Sequence, residues 1–247
     1  MAGVVAALAR EARALGPAID RKAGYEVLPG GTLRAVSGMG CASAGTAARR
    51  LIDAGATALI SWGVAGGLDP DLEAGAICVP REIVAPDGMR FATAPGWCEA
   101  LAASIAHHGP VASGVLLTRS QPVAGIAEKA ALRRETGAVA VDMESSAVAE
   151  VAAARRLPFL AVRVIVDTAH DVIPAAVTAA GESGQVRIGA LLAGLARSPR
   201  DIAALVRLAR AYRAAAHSLR AVAEHGRLTP PAGSDGRGAG RPLEGRA

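Results

Sequence analysis

Aromatic side chains are nearly missing from this chain: two each of Phe, Tyr and Trp make up 2% of 247 residues. Surfaces that hold single-stranded nucleic acid stack bases on aromatic rings set among basic groups. The most basic stretch, Arg187 to Arg227, sets eight arginines against Asp201 and Glu224 but offers Tyr212 alone for stacking. Nucleic acid is therefore not an expected partner. Lysine is as scarce, at Lys22 and Lys129 only, so arginine carries almost all of a net charge of +5. An Ala- and Arg-rich sequence of GC-rich coding bias produces that balance without any anionic partner. Three cysteines (Cys41, Cys78, Cys98) fit no fully paired framework, no CxxC and no metal-ligand spacing. A disulfide scaffold is excluded, and free thiols point to a reducing compartment. The longest uncharged runs, Ala54–Leu68 and Ala100–Thr118, carry Gly, Ser, Pro or His and do not suit a bilayer. No basic n-region precedes the short apolar run at the N-terminus, so no secretory signal is read there. The expected location is cytoplasmic.

What the chain does have is apolar bulk and punctuation: 51% hydrophobic residues, 29 Gly and 14 Pro. That suffices for one sizeable core. Short β-type runs alternate with helix-length segments. Gly3–Leu8 reads as a buried strand and Ala9–Leu15 as helix; Tyr25–Leu28 and Thr32–Ser37 flank Pro29-Gly30-Gly31 as a hairpin. Cys41–Ala54 is helical and stops at Gly55, and Ala56–Trp62 is a strand running into the glycine cluster Gly63–Gly67. Ala76–Val84, Val111–Leu117, Ala138–Val141 and Phe159–Val166 are further strands. Glu99–His107, Ile126–Glu135 and Glu144–Arg156 are helices between them. The alternation predicts a single α/β domain with a central twisted mixed β-sheet flanked by helices, over residues 1–226. Arg187–Ala223 reads as almost wholly helical with a break at Ser198-Pro199, giving extra C-terminal helices, and 227–247 reads as a disordered tail.

Open α/β sheets place ligands at the carboxyl ends of their strands. Here those ends carry Glu11, Gly38-Met39-Gly40, Gly63–Gly67, Asp142-Met143-Glu144 and Asp167-Thr168. Carboxylates gathered at one crevice are costly unless they bind something or hold a proton. Each also has a plainer explanation: Glu11, Asp142 and Glu144 as acids at helix N-termini, Asp167 as a cap, the glycines as an ordinary strand-to-helix turn. A dinucleotide fingerprint is not supported, because Ser43 stands at its sixth position and no acid follows at the end of a second strand. His107 and His108 lie beside a Gly-Pro turn and read as surface residues, and no cluster has the spacing of a metal site.

Four segments in register carry a resemblance: GVVAALAREARAL; SGMGCASAGTAARRLIDAGATALISWGVAGGLDPDLEAGAICVP; AVAVDMESSAVAEVAAARRLPFLAVRVIVDTA; and GALLAGLARSPRDIAALVRLARAYRAAAHSLR. The first three resemble the nucleoside phosphorylase/nucleosidase family, in its methylthioadenosine/S-adenosylhomocysteine nucleosidase branch. The fourth, with EAR, VDMES and RVIVD, resembles the hopanoid-associated phosphorylases within it.

The resemblance implies cleavage of a purine N-glycosidic bond, with adenosylhopane as substrate and adenine as product. An ordinary methylthioadenosine/S-adenosylhomocysteine nucleosidase and a non-catalytic nucleoside-binding module are the alternatives. It implies Asp167 as the general acid toward N7 of adenine and Glu11 as the group that activates water. Glu144 would bind the ribose hydroxyls, Met143 would pack beneath the sugar, and Arg163 would line the water site. Gly63, Gly66 and Gly67 would let backbone approach the ligand, and Val64 and Val123 would line its pocket. No cofactor is expected beyond inorganic phosphate as a possible co-substrate, for which Arg13, or Arg10, and the turn at Gly40 are candidates; retention of Glu11 argues for water. Val64, Val166, Pro122, Val123, Leu8 and His170 depart from the nucleosidase pattern toward less polar or non-stacking residues, which favours a greasier or bulkier 5′ substituent. A homo-oligomer is expected from the family, and the basic C-terminal helices allow either packing on the sheet or peripheral contact with the inner membrane face.

Overall fold

A computed structural model describes residues 1–173, 199–231 and 242–243 of the chain. The described strands are β1 (Ala2–Ala6), β2 (Asp20–Lys22), β3 (Tyr25–Val27), β4 (Leu33–Val36), β5 (Ala58–Gly67), β6 (Ile77–Cys78), β7 (Glu82–Val84), β8 (Arg90–Ala92), β9 (Val111–Ala112), β10 (Val115–Thr118), β11 (Ala138–Asp142), β12 (Phe159–Asp167) and β13 (Pro242–Leu243). The helices are α1 (Ala9–Ala12), α2 (Cys41–Asp53), α3 (Pro95–Ile105), α4 (Ile126–Thr136), α5 (Ser145–Ala154) and α6 (Pro199–His225). All described strands join one mixed sheet, as the alternating pattern of the sequence predicts.

Side chains alternate along the central strands, and both faces are covered. On β12, Phe159, Ala161 and Ile165 enter the apolar layer beneath α2 and α5. Leu160, Val162 and Val164 enter the opposite layer with Trp97, Leu101, Leu219 and Val222 of α3 and α6. Helix α2 buries Ala44, Ala47, Ala48 and Leu51, an i, i+3, i+4, i+7 stripe, against the sheet and α5. Both tryptophans are buried with the indole N–H satisfied: Trp62 donates to the Glu11 carbonyl at 3.1 Å and Trp97 to that of Arg227 at 2.9 Å.

Several boundaries differ from the pattern-based reading. The glycine cluster is not a turn: β5 continues through it to Gly67. Ala76–Val84 and Val111–Leu117 are each two short strands, the second pair separated at Gly114, whose φ of +131° a side chain would disfavour. Strands β2 and β8 have too few apolar residues to register as periodic. Helix α6 packs through Ala215, Leu219 and Val222, while Arg207, Arg210, Arg213 and Arg220 are exposed. The predicted helix before Pro199 lies outside the described residues, as does most of the expected tail. Within that tail, Pro242 and Leu243 pair antiparallel with Phe91 and Arg90. No described helix is long and apolar enough to cross a membrane.

Candidate active site

The cleft originates in how β5 changes partner. Its first half lies parallel to β1, with Ala6 opposite Trp62, and its far end lies antiparallel to β11, with Val141 opposite Gly66. Strand β12 accompanies β5 along the other edge. The carboxyl ends of β1 and β11 therefore run toward each other across Gly63–Ala65 and leave a gap. The residues at and just beyond these strand ends face it: Glu11 after β1, Met143-Glu144 after β11, and Asp167 at the end of β12.

Glu11 sits in the one-turn helix α1, 4% exposed. Its Oε2 accepts the Leu8 N–H at 3.0 Å and its Oε1 the Val64 N–H at 3.2 Å. The carboxyl lies flat against Gly63, where a Cβ would stand 2.9 Å from it. Glycine at 63 thus serves the close approach of Glu11 and a φ of +156°, not a turn. Burial raises the Glu11 pKa, opposed by the Arg163 charge and the two N–H donors.

Glu144 stands at the N-terminal boundary of α5 with no side-chain bond to the helix, and accepts the Gly40 N–H at 2.8 Å. Burial, with the charge of Asp142 behind it, pushes its pKa up to about 7. Asp142 itself is tied down: Thr118 donates to Oδ1 at 2.8 Å, while Oδ2 receives the Ser145 N–H at 3.0 Å and Arg163 Nη2 at 2.7 Å. Arg163 also donates to Ser61 at 2.7 Å and Ser145 at 2.9 Å. A fully hydrogen-bonded buried pair of this kind holds its geometry.

Asp167, 6% exposed, receives Lys129 Nζ on Oδ2 at 2.6 Å. Lys129 is wholly buried and also donates to the carbonyls of Thr168 at 2.6 Å and Asp171 at 3.0 Å. Burial raises the Asp167 pKa and the ammonium opposes it; the balance is upward. Gly66 and Gly67 lie against this residue, and a Cβ on Gly66 would come within 3.0 Å of Oδ2.

Residues separated by more than 150 positions thus line one cavity of about 170 Å³, bounded by Glu11, Val64, Gly66, Met143, Glu144 and Asp167. Val123 also lines it. Gly63 and Gly67 stand behind the wall, against Glu11 and Asp167. Arg163 does not reach the lining: at 2% exposure, its guanidinium is engaged by Asp142 and the two serines, and it acts on Glu11 through space. Arg13 lies elsewhere, exposed in a separate cleft with Arg21 and Arg50. The Gly40 N–H points to Glu144 and is not free for an anion.

Lys129 and Tyr212 have no counterpart among the sequence-derived candidates. Tyr212 reaches the cavity from α6, over 40 residues past β12, and is held by Arg10, which stacks on its ring at 3.8 Å and donates to its hydroxyl at 2.6 Å. The available signal for Lys129 was that it is one of two lysines. Among the described residues the sole group placed to hold a metal is His107, His108 and His225, none of which lines this cavity.

The buried carboxyls make stability pH-dependent. Glu144 binds its proton more tightly folded than unfolded, so stability present below pH 4.5 is lost as pH rises through the window from 4.5 to about 7. Glu144→Gln keeps an acceptor for Gly40 and removes the charge. At pH 8 this variant should be more stable than the parent by on the order of 2 kcal/mol, roughly 5 °C in Tm. At pH 4 the two should melt together. Equal Tm values at pH 8 would mean that Glu144 is not strained by burial.

The sequence profile of the phosphorylase superfamily matches residues 30–197. The fold is similar to 5′-methylthioadenosine/S-adenosylhomocysteine nucleosidase of Neisseria meningitidis in complex with methylthio-immucillin-A (TM-score 0.68, 22% identity, 90% of this chain and 96% of that one). It is also similar to futalosine hydrolase of Helicobacter pylori (TM-score 0.67, 20% identity, 90% and 97%). A putative methylthioadenosine nucleosidase of Weissella paramesenteroides gives a TM-score of 0.61 at 26% identity, covering 77% and 98%. No curated protein sequence matches the chain. The profile spans well over half of the chain and includes β5, β11 and β12, the strands that build the cavity: the chain belongs to the phosphorylase superfamily and is an enzyme of its nucleoside phosphorylase/nucleosidase type.

Proposed function

We propose that this enzyme cleaves the N-glycosidic bond of an adenine nucleoside with a large apolar 5′ substituent, adenosylhopane in the reading the sequence favours, and releases adenine. The observation that carries the reading is the convergence of Glu11, Glu144 and Asp167 in one cavity, each carboxyl held by a different fixed donor. The similar fold of a 5′-methylthioadenosine/S-adenosylhomocysteine nucleosidase in complex with methylthio-immucillin-A supports the substrate class.

A purine leaves slowly as an anion, so it needs a proton as the bond breaks. Asp167 gives its proton to N7, and the electron pair of the C1′–N9 bond moves into the base. Lys129 occupies Oδ2 of Asp167, which leaves Oδ1 for the purine. The cation-like sugar is stabilised by Glu144, which accepts its hydroxyl protons, and by the charge of Glu11. Glu11 then takes a proton from the water that bonds to C1′.

Water is favoured over phosphate because no Arg or Lys is found among the described residues lining the cavity, whereas Glu11 would repel an anion. Apart from Gln121, Asp142 and Tyr212, the rest of the lining is apolar, with Leu8, Met39, Pro122, Val123, Val166 and Ile173 among it. A neighbouring cleft of about 360 Å³ shares Val166, Asp167 and Ile173 with it and adds room for a long substituent. The exposed arginines of α6 suit an approach to an anionic membrane surface where such a substrate would reside.

The test is product analysis after incubation with adenosylhopane and with methylthioadenosine, each with and without phosphate. Free adenine and a ribosyl-hopane without phosphate support the reading. Sugar phosphate would replace water by phosphate, preference for methylthioadenosine would overturn the apolar substituent, and no adenine from either would overturn the enzymatic reading. kcat/KM should also fall on acidification through about pH 7 as Glu144 is protonated in the free enzyme, and this limb should vanish in Glu144→Gln.

A further inference from the structure

We propose that His107, His108 and His225 form a binding site for a divalent transition metal of the Zn²⁺ class, which clips the end of α6 to the end of α3. The site is separate from the cavity described above: His225 lies 13 positions beyond Tyr212 along α6, about 20 Å at the α-helical rise.

His107 and His108 occupy the 3₁₀ turn that closes α3, and His225 is the last residue of α6. One ligand atom from each of the three lies within 4.8 Å of the others. His108 Nε2 and His225 Nδ1 are 3.2 Å apart. Two imidazole nitrogens bound tetrahedrally at about 2.0–2.1 Å from zinc stand about 3.3 Å from each other. The spacing matches that edge; His225 Nδ1, now 3.1 Å from the Ala221 carbonyl, has to give up that contact, and the exposed His107 ring, 4.0 Å from His108 between centroids, has to rotate, to complete a face.

The backbone on both sides is pinned. The Arg227 carbonyl accepts from Trp97 at 2.9 Å and its N–H donates to Ser104 at 3.1 Å, both on α3, while Gly226 N–H bonds to Val222 at 2.8 Å. A site whose ligands sit on fixed elements binds without first paying for order. Three imidazoles with one position open to water suit Zn²⁺, Ni²⁺ or Cu²⁺; Mg²⁺ and Ca²⁺ prefer oxygen.

Untagged full-length protein, stripped with EDTA, should take up one equivalent of Zn²⁺ in isothermal titration calorimetry and show a rise in Tm, with no response to Mg²⁺. His108→Ala and His225→Ala, both at exposed positions, should each weaken uptake at least about tenfold and abolish the Tm rise, while Cys41→Ser leaves both intact. Adenine release by the His225→Ala variant in EDTA should equal that of the parent. Absence of saturable uptake, uptake unchanged in the histidine variants, or uptake lost with Cys41→Ser would each overturn the proposal.

Discussion

Asp167→Asn is expected to lower kcat/KM for adenine release by about a thousand-fold, which corresponds to ~4 kcal/mol of transition-state stabilisation. Asparagine has nearly the same shape and keeps an oxygen for Lys129, so the pinning of the β12 terminus survives. It has no proton to surrender to N7. The other carboxyls cannot substitute for it: both Glu11 oxygens are fixed on Leu8 and Val64, and Glu144 is fixed on Gly40 across the cavity. Steady-state kinetics beside a thermal melt separate chemistry from folding. Turnover within tenfold of the parent would remove Asp167 from its assigned role.

Lys129→Met should have the largest effect on stability. An ammonium without solvent contact makes three hydrogen bonds, and each partner (the Asp167 carboxylate, the Thr168 carbonyl, the Asp171 carbonyl) loses its donor in the variant. Breaking a buried pair from one side costs about 3 kcal/mol or more, which for a chain of this size lowers Tm by roughly 10 °C. The double variant Lys129→Met/Asp167→Asn should recover part of that loss, because no charge is then left without its partner. A second readout separates packing from chemistry. The Lys129 charge holds the Asp167 pKa down against burial. Without it Asp167 keeps its proton to higher pH, so the alkaline limb of kcat/KM against pH should move upward in Lys129→Met. A limb that stays in place would show that Lys129 serves folding alone.

The pairing of Lys129 with Asp167 also shows what local reading misses. Strand ends and their acids were legible because apolar runs and the polar residues after them are properties of adjacent positions. A lysine 38 residues from its partner, on a helix that buries only Leu132 beside it, carries no such signal. Tyr212 is the same case: it stood out as the lone aromatic in a basic segment, which spoke against nucleic acid, yet its place in the cavity depends on how α6 docks. Arg163 illustrates the converse. Its position inside an apolar strand was visible, but whether it faced ligand or protein turned on Asp142, Ser61 and Ser145, which come from three other elements.

The order of residues alone established an α/β layout with mixed strands, the acids at the ends of β1, β11 and β12, and the family to which the chain belongs, since these arise from short-range periodicity and from motifs in register. Docking decided the rest. Gly63–Gly67 became a strand when β11 took over the edge of β5 that β1 had vacated, and the same exchange opened the gap into which the three carboxyls converge. Docking of the helices likewise buried Lys129 and set three histidines side by side, while Arg13 lines a different cleft. Burial, partner charge and hydrogen-bond closure are properties of a neighbourhood in space, and no window along the chain contains that neighbourhood.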